Sequence, residues 1–334
     1  MINLSKAKQC AQTLLEEISQ ARTVCLTTHV NPDGDGLCSC LALKRILQHQ
    51  GYEVDIVTDD LSLERYSFLQ VFDHVKPYDG KMRYDLVFMI DLHDSTRLDA
   101  RLEMVSQARH VFVIDHHEVR NDLIDCTCCW IEPKAVSTGW MLHEMFRDEI
   151  RQLKSEDKIY VGNCLYTTLL NDTNNFVNAN TDSHAFELAA ETCGYGINPS
   201  ELYRLYMTSR TPVEMRLLGQ VLSTIELHDK GHILFVDSSL DMLEMNNLDK
   251  EATSNLTRWV QDLKGVDSVV YFREESVGLY RLSMRSKIYN VNSIAIKYGG
   301  GGHLQASGCM MKGSLPEVKR ITLDELHNAE RLAQ

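Results

Sequence analysis

The seven residues His29-Val30-Asn31-Pro32-Asp33-Gly34-Asp35 place one imidazole and two carboxylates together. These are hard or borderline donors suited to Mn2+, Mg2+ or Zn2+. Asp115-His116-His117 follows the apolar run Val111–Ile114, and Asp91 ends the run Leu86–Ile90. Asp172 follows a helical run from Val161 to Leu170. Alone, each has an ordinary reading: Asp91 as a capping or solvated loop carboxylate, Asp172 as a helix C-terminal turn residue, the histidines as a solvated pair. As a set they suggest one two-cation site. Such a site needs ions about 3.5–4 Å apart and a carboxylate shared between them, and Asp91 is the candidate bridge. Adjacent residues at a strand tip point in different directions. One histidine of the pair can therefore bind a cation while the other faces substrate, with Asp115 hydrogen-bonding an imidazole from behind.

The run Gly299-Gly300-Gly301-Gly302-His303 offers a different chemistry. Consecutive glycines let backbone N–H groups approach an anion. Ser283-Met284-Arg285-Ser286, at a predicted strand end, adds a guanidinium fork for phosphate. A flexible hinge would explain the glycines, but not the abutting His303 or the helix-forming Ser293–Lys297 before them. An anion cradle is the favoured reading.

Pro32, Gly34 and Gly36 end the strand that delivers His29. The first half predicts strands at 23–28, 53–58, 84–90 and 110–114, and helices at 36–50, 61–72, 97–107 and 137–150. Met1 to Arg22 reads as an amphipathic helix. The strands are short and apolar on both faces, the pattern of a parallel sheet covered by helices. In such sheets ligands bind at the carboxyl ends of the strands, where His29, Asp91 and Asp115 fall. Residues 155–222 read as mostly helical. Strands at 223–228, 231–237, 267–273 and 277–284, with helices near 250–263 and 315–331, predict a smaller α/β domain.

A chain of 334 residues fits two domains. A net charge of -13 argues against tight binding of long nucleic acid, which needs a basic face. Residues 271–320 nevertheless hold eight Lys or Arg against three Glu, which suits phosphate capture. No run has the length of a membrane span and no secretory leader is recognisable, so a cytoplasmic protein is expected. The ten cysteines are expected as reduced, buried or incidental thiols. Cys126-Thr127-Cys128-Cys129 lacks the second pair of a structural zinc site.

The ordered set His29-x-x-x-Asp33-x-Asp35, Asp91, Asp115-His116-His117 and Asp172, followed by Gly300-Gly301-Gly302-His303, resembles the DHH/DHHA1 phosphoesterase superfamily. The resemblance covers nearly the whole chain, and the compact length looks most like the nano-RNase/pAp phosphatase branch. It implies a DHH domain over 1–190, a helical linker over 191–219 and a DHHA1 substrate-binding domain over 220–334, with the active site in the cleft between the two. It implies hydrolysis of 3′-phosphoadenosine 5′-phosphate (pAp) to AMP and of very short oligoribonucleotides, with two Mn2+ ions, or Mg2+ or Co2+. His29, Asp33 and Asp91 would hold the first ion. Asp35, Asp91, His116 and Asp172 would hold the second. His117 would contact the scissile phosphate or assist the leaving group. Ser283, Arg285, Gly299–Gly302 and His303 would grip the far phosphate, and Ser137 and Thr138, in a Ser137-Thr138-Gly139 segment matching one that opens the helix after the DHH strand in the family, would also bind substrate or phosphate.

The chain departs from the family at Asn174-Asn175, where a glycine is common, and at His184, where a basic residue is expected. A DHH-type pyrophosphatase would carry a Lys/Arg-based C-terminal signature. A cyclic-dinucleotide phosphodiesterase usually carries membrane and sensory segments. A non-catalytic nucleotide-binding regulator would have lost ligands. No long nucleic acid and no membrane are expected as partners. A homodimer stays open.

Overall fold

The fold is that of a computed structural model, which describes every residue except 1, 3, 60–62, 120–122, 208–210, 254–255, 262 and 333–334. The chain divides into two compact units, Met1–Ser209 and Arg210–Gln334. Among the described residues no helix is long and apolar enough to cross a membrane.

The first unit runs α1 (Leu4–Ile18), β1 (Val24–Thr27), α2 (Gly34–His49), β2 (Val54–Thr58), β3 (Val75–Pro77), β4 (Leu86–Ile90), α3 (Leu102–Ser106), β5 (His110–Asp115) and β6 (Cys128–Ile131). It ends with α4 (Thr138–Gln152), α5 (Ser155–Asp172), α6 (Ser183–Gly194) and α7 (Pro199–Met207). All six strands pair in parallel, in the order β3-β2-β1-β4-β5-β6. The direction of winding reverses between β1 and β4. That switch point opens a crevice at the carboxyl ends of the strands.

The period of two along each strand feeds two cores. Leu26, Phe88, Ile90, Phe112 and Ile114 face α1, α2, α4 and α5. Cys25, Val57, Val87, Met89 and Val113 face the other way, onto Leu92, Leu98, Met104 and Val105. This second cover is thinner than the helix predicted over 97–107. Asp99 adopts a left-handed φ of 47° there, and the path breaks into 3-10 turns at Ser95–Arg97 and Asp99–Arg101 before α3. The helix predicted over 61–72 is likewise two 3-10 turns, Glu64–Leu69 and Val71–Asp73, split by a left-handed Gln70. Its first two residues lie outside the described residues.

The expectation that every cysteine is a free thiol is corrected at one pair. Cys10 on α1 and Cys128 on β6 form a disulfide, with Cα atoms 6.2 Å apart. The packing of α1 on β6 brings them together across 118 residues of sequence, a pairing that spacing does not reveal. Cys25, Cys38, Cys40, Cys164 and Cys309 are buried and free.

The stretch 191–219, read as a helical linker, is shared between the units. α7 packs on α5, whereas α8 (Pro212–Leu222) packs on strand and helix of the second unit. That unit continues with β7 (Glu226–His228), β8 (Ile233–Ser238), α9 (Leu240–Asn246), α10 (Thr257–Val260), β9 (Ser268–Ser276), β10 (Leu279–Ser286), α11 (Val291–Lys297), β11 (Gly301–His303), β12 (Ala306–Lys312) and α12 (Leu315–Asn328). Its sheet order is β11-β12-β10-β9-β8-β7, antiparallel except between β8 and β9. α11 and α12 cover one face, and α8, α9 and α10 the other.

One buried cation fixes the strand ends of the first unit. Arg101 is 0% exposed. It donates from Nε to Asp59 Oδ2 at 2.7 Å and from Nη1 to the Thr28 carbonyl at 2.6 Å and to Thr27 Oγ1. It therefore ties the ends of β1 and β2 one residue before His29. Removing it takes the donor from the buried Thr28 carbonyl and leaves a void, whereas Asp59 stays partly in water. Arg101→Ala is expected to destabilise the first unit by about 2 kcal/mol in urea unfolding. A change below about 1 kcal/mol would remove Arg101 from this role.

Candidate metal centre

β1 and the start of α2 supply three donors. Asp33 is the N-cap of α2, its Oδ1 accepting from the Asp35 and Gly36 N–H groups at 2.9 and 3.2 Å. The turn is tight enough to require glycine. A Cβ at Gly36 would lie 2.1 Å from Thr28 Oγ1. Asp91 follows β4 with a left-handed φ of 63°, its N–H donating to the Ile114 carbonyl at 2.9 Å. Such backbone in a non-glycine residue persists where the surroundings enforce it, commonly at functional sites.

The structure brings His29, Asp33 and Asp91 into one donor cluster, Asp35, His116 and Asp172 into a second, and Asp91, His116 and His117 into a third. Asp91 links them. Its Oδ2 lies 3.4 Å from His29 Nε2, and its Oδ1 lies 3.6 Å from His116 Nε2 and 3.5 Å from His117 Nδ1. His116 Nε2 is also 3.1 Å from Asp172 Oδ2 and 3.7 Å from Asp35 Oδ2. Neighbouring donors in an octahedral shell with bonds near 2.1 Å sit about 3 Å apart. His29 Nε2 and Asp172 Oδ2 are buried without a well-formed hydrogen bond, and both face this space, where a cation would take the lone pair that a deprotonated His29 offers. The donor set therefore fits hard divalent cations.

The electrostatics agree. Burial, and then the charges of Asp172 and Asp91, push Asp35 well above the usual carboxylate range. Burial also raises Asp172, with His116 opposing. Burial and Arg97 disfavour a charged His29, yet Asp33 and Asp91 lift its pKa to about 9. Burial works against a charge on His116 too, and Asp172, Asp35 and Asp91 override it. Converging buried carboxylates are costly unless cations share their charge.

Asp115 stands behind the cluster. Burial would raise its pKa, but His117 and His93 hold it well below the usual range. Its Oδ1 pairs with His117 Nδ1 at 2.7 Å, and its Oδ2 pairs with His93 Nδ1. Sequence reasoning missed His93. The available signal was a histidine two residues beyond the strand-end Asp91.

Ser137 and Thr138, expected as substrate or phosphate contacts, lie against α4 and the carboxylates. Both are fully buried. Ser137 caps α4, its Oγ accepting from the Trp140 N–H at 3.0 Å. The Thr138 and Gly139 N–H groups donate to Asp35 at 2.6 and 3.0 Å, and Thr138 Oγ1 donates to Asp91 Oδ1 at 3.1 Å. Asp35 thus sits on the N-terminus of α4, where backbone donors and the helix dipole favour negative charge.

The departures after Asp172 adopt left-handed backbone. Asn174 and Asn175 have φ of 47° and 59°, left-handed values that Asn tolerates better than most residues. Phe176 follows at 65°, its N–H donating to Thr173 Oγ1 at 2.7 Å. His184 lies in the first turn of α6, bonded to the capping Asp182 and edge-on to Trp140.

In the second unit, strand register places Arg285 opposite Ala306, and Ala306 opposite His303. Ser283, Gly308 and Gly301 form the adjacent row. Arg285 and His303 therefore share a sheet face across a strand whose intervening side chain is small. The glycines have a packing cause beside any anion role. A Cβ at Gly300 would lie 2.0 Å from the Gly308 carbonyl, and one at Gly302 would lie 2.3 Å from the Ala306 carbonyl.

Residues 23–169 match the DHH family N-terminal domain and residues 236–329 the DHHA1 domain. A bifunctional oligoribonuclease and PAP phosphatase NrnA of Thermus thermophilus is 31% identical over 86% of this chain and 84% of its own. A protein of the same description from Bacillus subtilis is 28% identical over 93% and 96%. An exopolyphosphatase-related protein from Bacteroides fragilis shares the fold, with a TM-score of 0.86, 21% identity and 96% of each chain covered. With its ordered donor set and both matched domains, the chain belongs to the DHH family of metal-dependent phosphoesterases, with a DHHA1 domain at its C-terminal side.

Proposed function

We propose that this chain is a two-cation phosphoesterase that converts pAp to AMP and phosphate and cuts very short oligoribonucleotides, such as pApA, to mononucleotides in the cytoplasm. The observation that carries the reading is Asp91, whose two oxygens face separate donor sets at His29 and His116. The relatives described as bifunctional oligoribonuclease and PAP phosphatase support the substrate class.

His29, Asp33 and Asp91 would hold one cation, and Asp35, Asp91, His116 and Asp172 the other. The donor chemistry suits Mn2+, with Mg2+ or Co2+ as alternatives. Bound there, the pair supplies Lewis acidity toward phosphate oxygens and makes water a nucleophile at neutral pH. The chain's own residues manage orientation and protons. Thr138 and the start of α4 hold Asp91 and Asp35 in place. His117 is the more exposed histidine of the pair, and Asp115 fixes its Nδ1 side. With Nδ1–H donated to Asp115, Nε2 would deliver a proton to the leaving oxygen from the doubly protonated ring. The phosphorus–oxygen bond to the leaving group breaks as the bond from water forms, and that proton neutralises the alkoxide. In the second unit, Arg285 and His303 would grip the far phosphate, with a short substrate as the consequence.

With Mn2+, the wild-type chain is expected to release phosphate from pAp and AMP from pApA. Asp91→Asn should lower both by more than about a hundredfold. Turnover of neither substrate by the wild type would sink the reading, and long RNA cut as fast as pApA would sink its short-substrate part. His117→Asn should lower kcat about a hundredfold while Mn2+ affinity stays within about threefold. Lost Mn2+ binding would instead move His117 from proton transfer to ligation. Arg285→Ala should raise KM for pAp about tenfold with little change in kcat. An unchanged KM would remove Arg285 from the grip.

A further inference from the structure

Asp172 offers the second donor cluster one oxygen. Its Oδ1 accepts from Asn171 Nδ2 at 2.8 Å. Its Oδ2 is buried and faces His116 Nε2 at 3.1 Å. Asn171 is held in turn, its Oδ1 accepting from the Tyr206 hydroxyl at 2.6 Å. An amide has one donor end and one acceptor end. A donor on Oδ1 therefore leaves Nδ2 facing Asp172.

Tyr206 lies near the end of α7 and is 2% exposed. Its ring is clamped. The Arg65 guanidinium carbon sits 4.0 Å from the ring centroid, and the same guanidinium donates to the Tyr206 carbonyl at 3.2 Å. The Tyr66 ring centroid is 6.0 Å away. The hydroxyl also meets the start of α2, because a Cβ at Gly34 would lie 2.2 Å from it. One oxygen thus touches the neighbours of two donors, Gly34 beside Asp35 and Asn171 beside Asp172.

We propose that Tyr206 is a positioning residue for the cation held by Asp35, His116 and Asp172. Its hydroxyl sets the orientation of the Asn171 amide, and the amide turns Asp172 Oδ2 toward that cation. The role rests on the two-cation reading above. A partner behind a metal ligand restricts the ligand to one geometry, and its loss typically costs ten- to a hundredfold in metal affinity. Tyr206 adds a further link behind that partner, so the low end of the range applies.

Tyr206→Phe removes one oxygen and keeps the ring. The full chain, stripped by chelation, would be titrated with Mn2+ in a calorimeter beside the wild type. The wild type should show two binding events. Tyr206→Phe should weaken one about tenfold and leave the other within about twofold, with the melting temperature of the stripped protein unchanged. Asn171→Ala should cause the same selective loss. Fewer than two events in the wild type would overturn the two-cation reading, and this role with it. Two wild-type events that Tyr206→Phe leaves unchanged would overturn the role of Tyr206 alone. So would a parallel weakening of both events with a lower melting temperature, which would mark a merely structural residue.

Discussion

Most of the local structure in the first unit answers one electrostatic problem: keeping Asp35, Asp91 and Asp172 close together and out of water. Each carboxylate has protein donors on its outer side. Asp35 takes two backbone N–H groups from the first turn of α4. Asp91 takes the Thr138 hydroxyl, and Asp172 takes the Asn171 amide. These bonds do not neutralise the cluster, as the raised Asp35 and Asp172 carboxyls indicate. They orient it, so that the remaining oxygen lone pairs converge. A parallel sheet suits this arrangement, because its switch point brings the ends of β1 and β4 side by side with a helix N-terminus nearby.

Much of this was legible in the sequence. The apolar runs before His29, Asp91 and Asp115 are strands ending in chemistry, and a period of two feeding two cores is a local signal. The donor order could be read because each donor sits at an abrupt end of a regular run. What could not be read lies in contacts between distant segments. Thr138 meets Asp35 across 103 residues, a support for the carboxylates that spacing does not announce. His93 meets Asp115 across 22 residues, with no motif to announce it. The predicted helices over 61–72 and 97–107 failed at single left-handed residues, Gln70 and Asp99, neither of which is a glycine or proline that would mark a break. The Cys10–Cys128 pair depended on how α1 packs, which spacing does not encode.

The glycine run shows how one composition can have two physical causes. Consecutive glycines suggest backbone donors open to an anion. In the fold, Gly300 and Gly302 are also places where β12 passes too close for any side chain. These causes are compatible. Packing β12 this tightly is what leaves Ala306 and Gly308 as a low strip between Arg285 and His303.

The separate cores of the two units bear on how such a chain can diverge. The residues around the metal centre are bound to one another through short contacts, with glycines where even a methyl group does not fit. Few of them can change singly. The Arg285–His303 face stands on a different core, built from other strands and helices. In the proposed function, the chemistry would thus sit in a nearly fixed block, while selectivity for one phosphate-bearing molecule over another would belong to the second core.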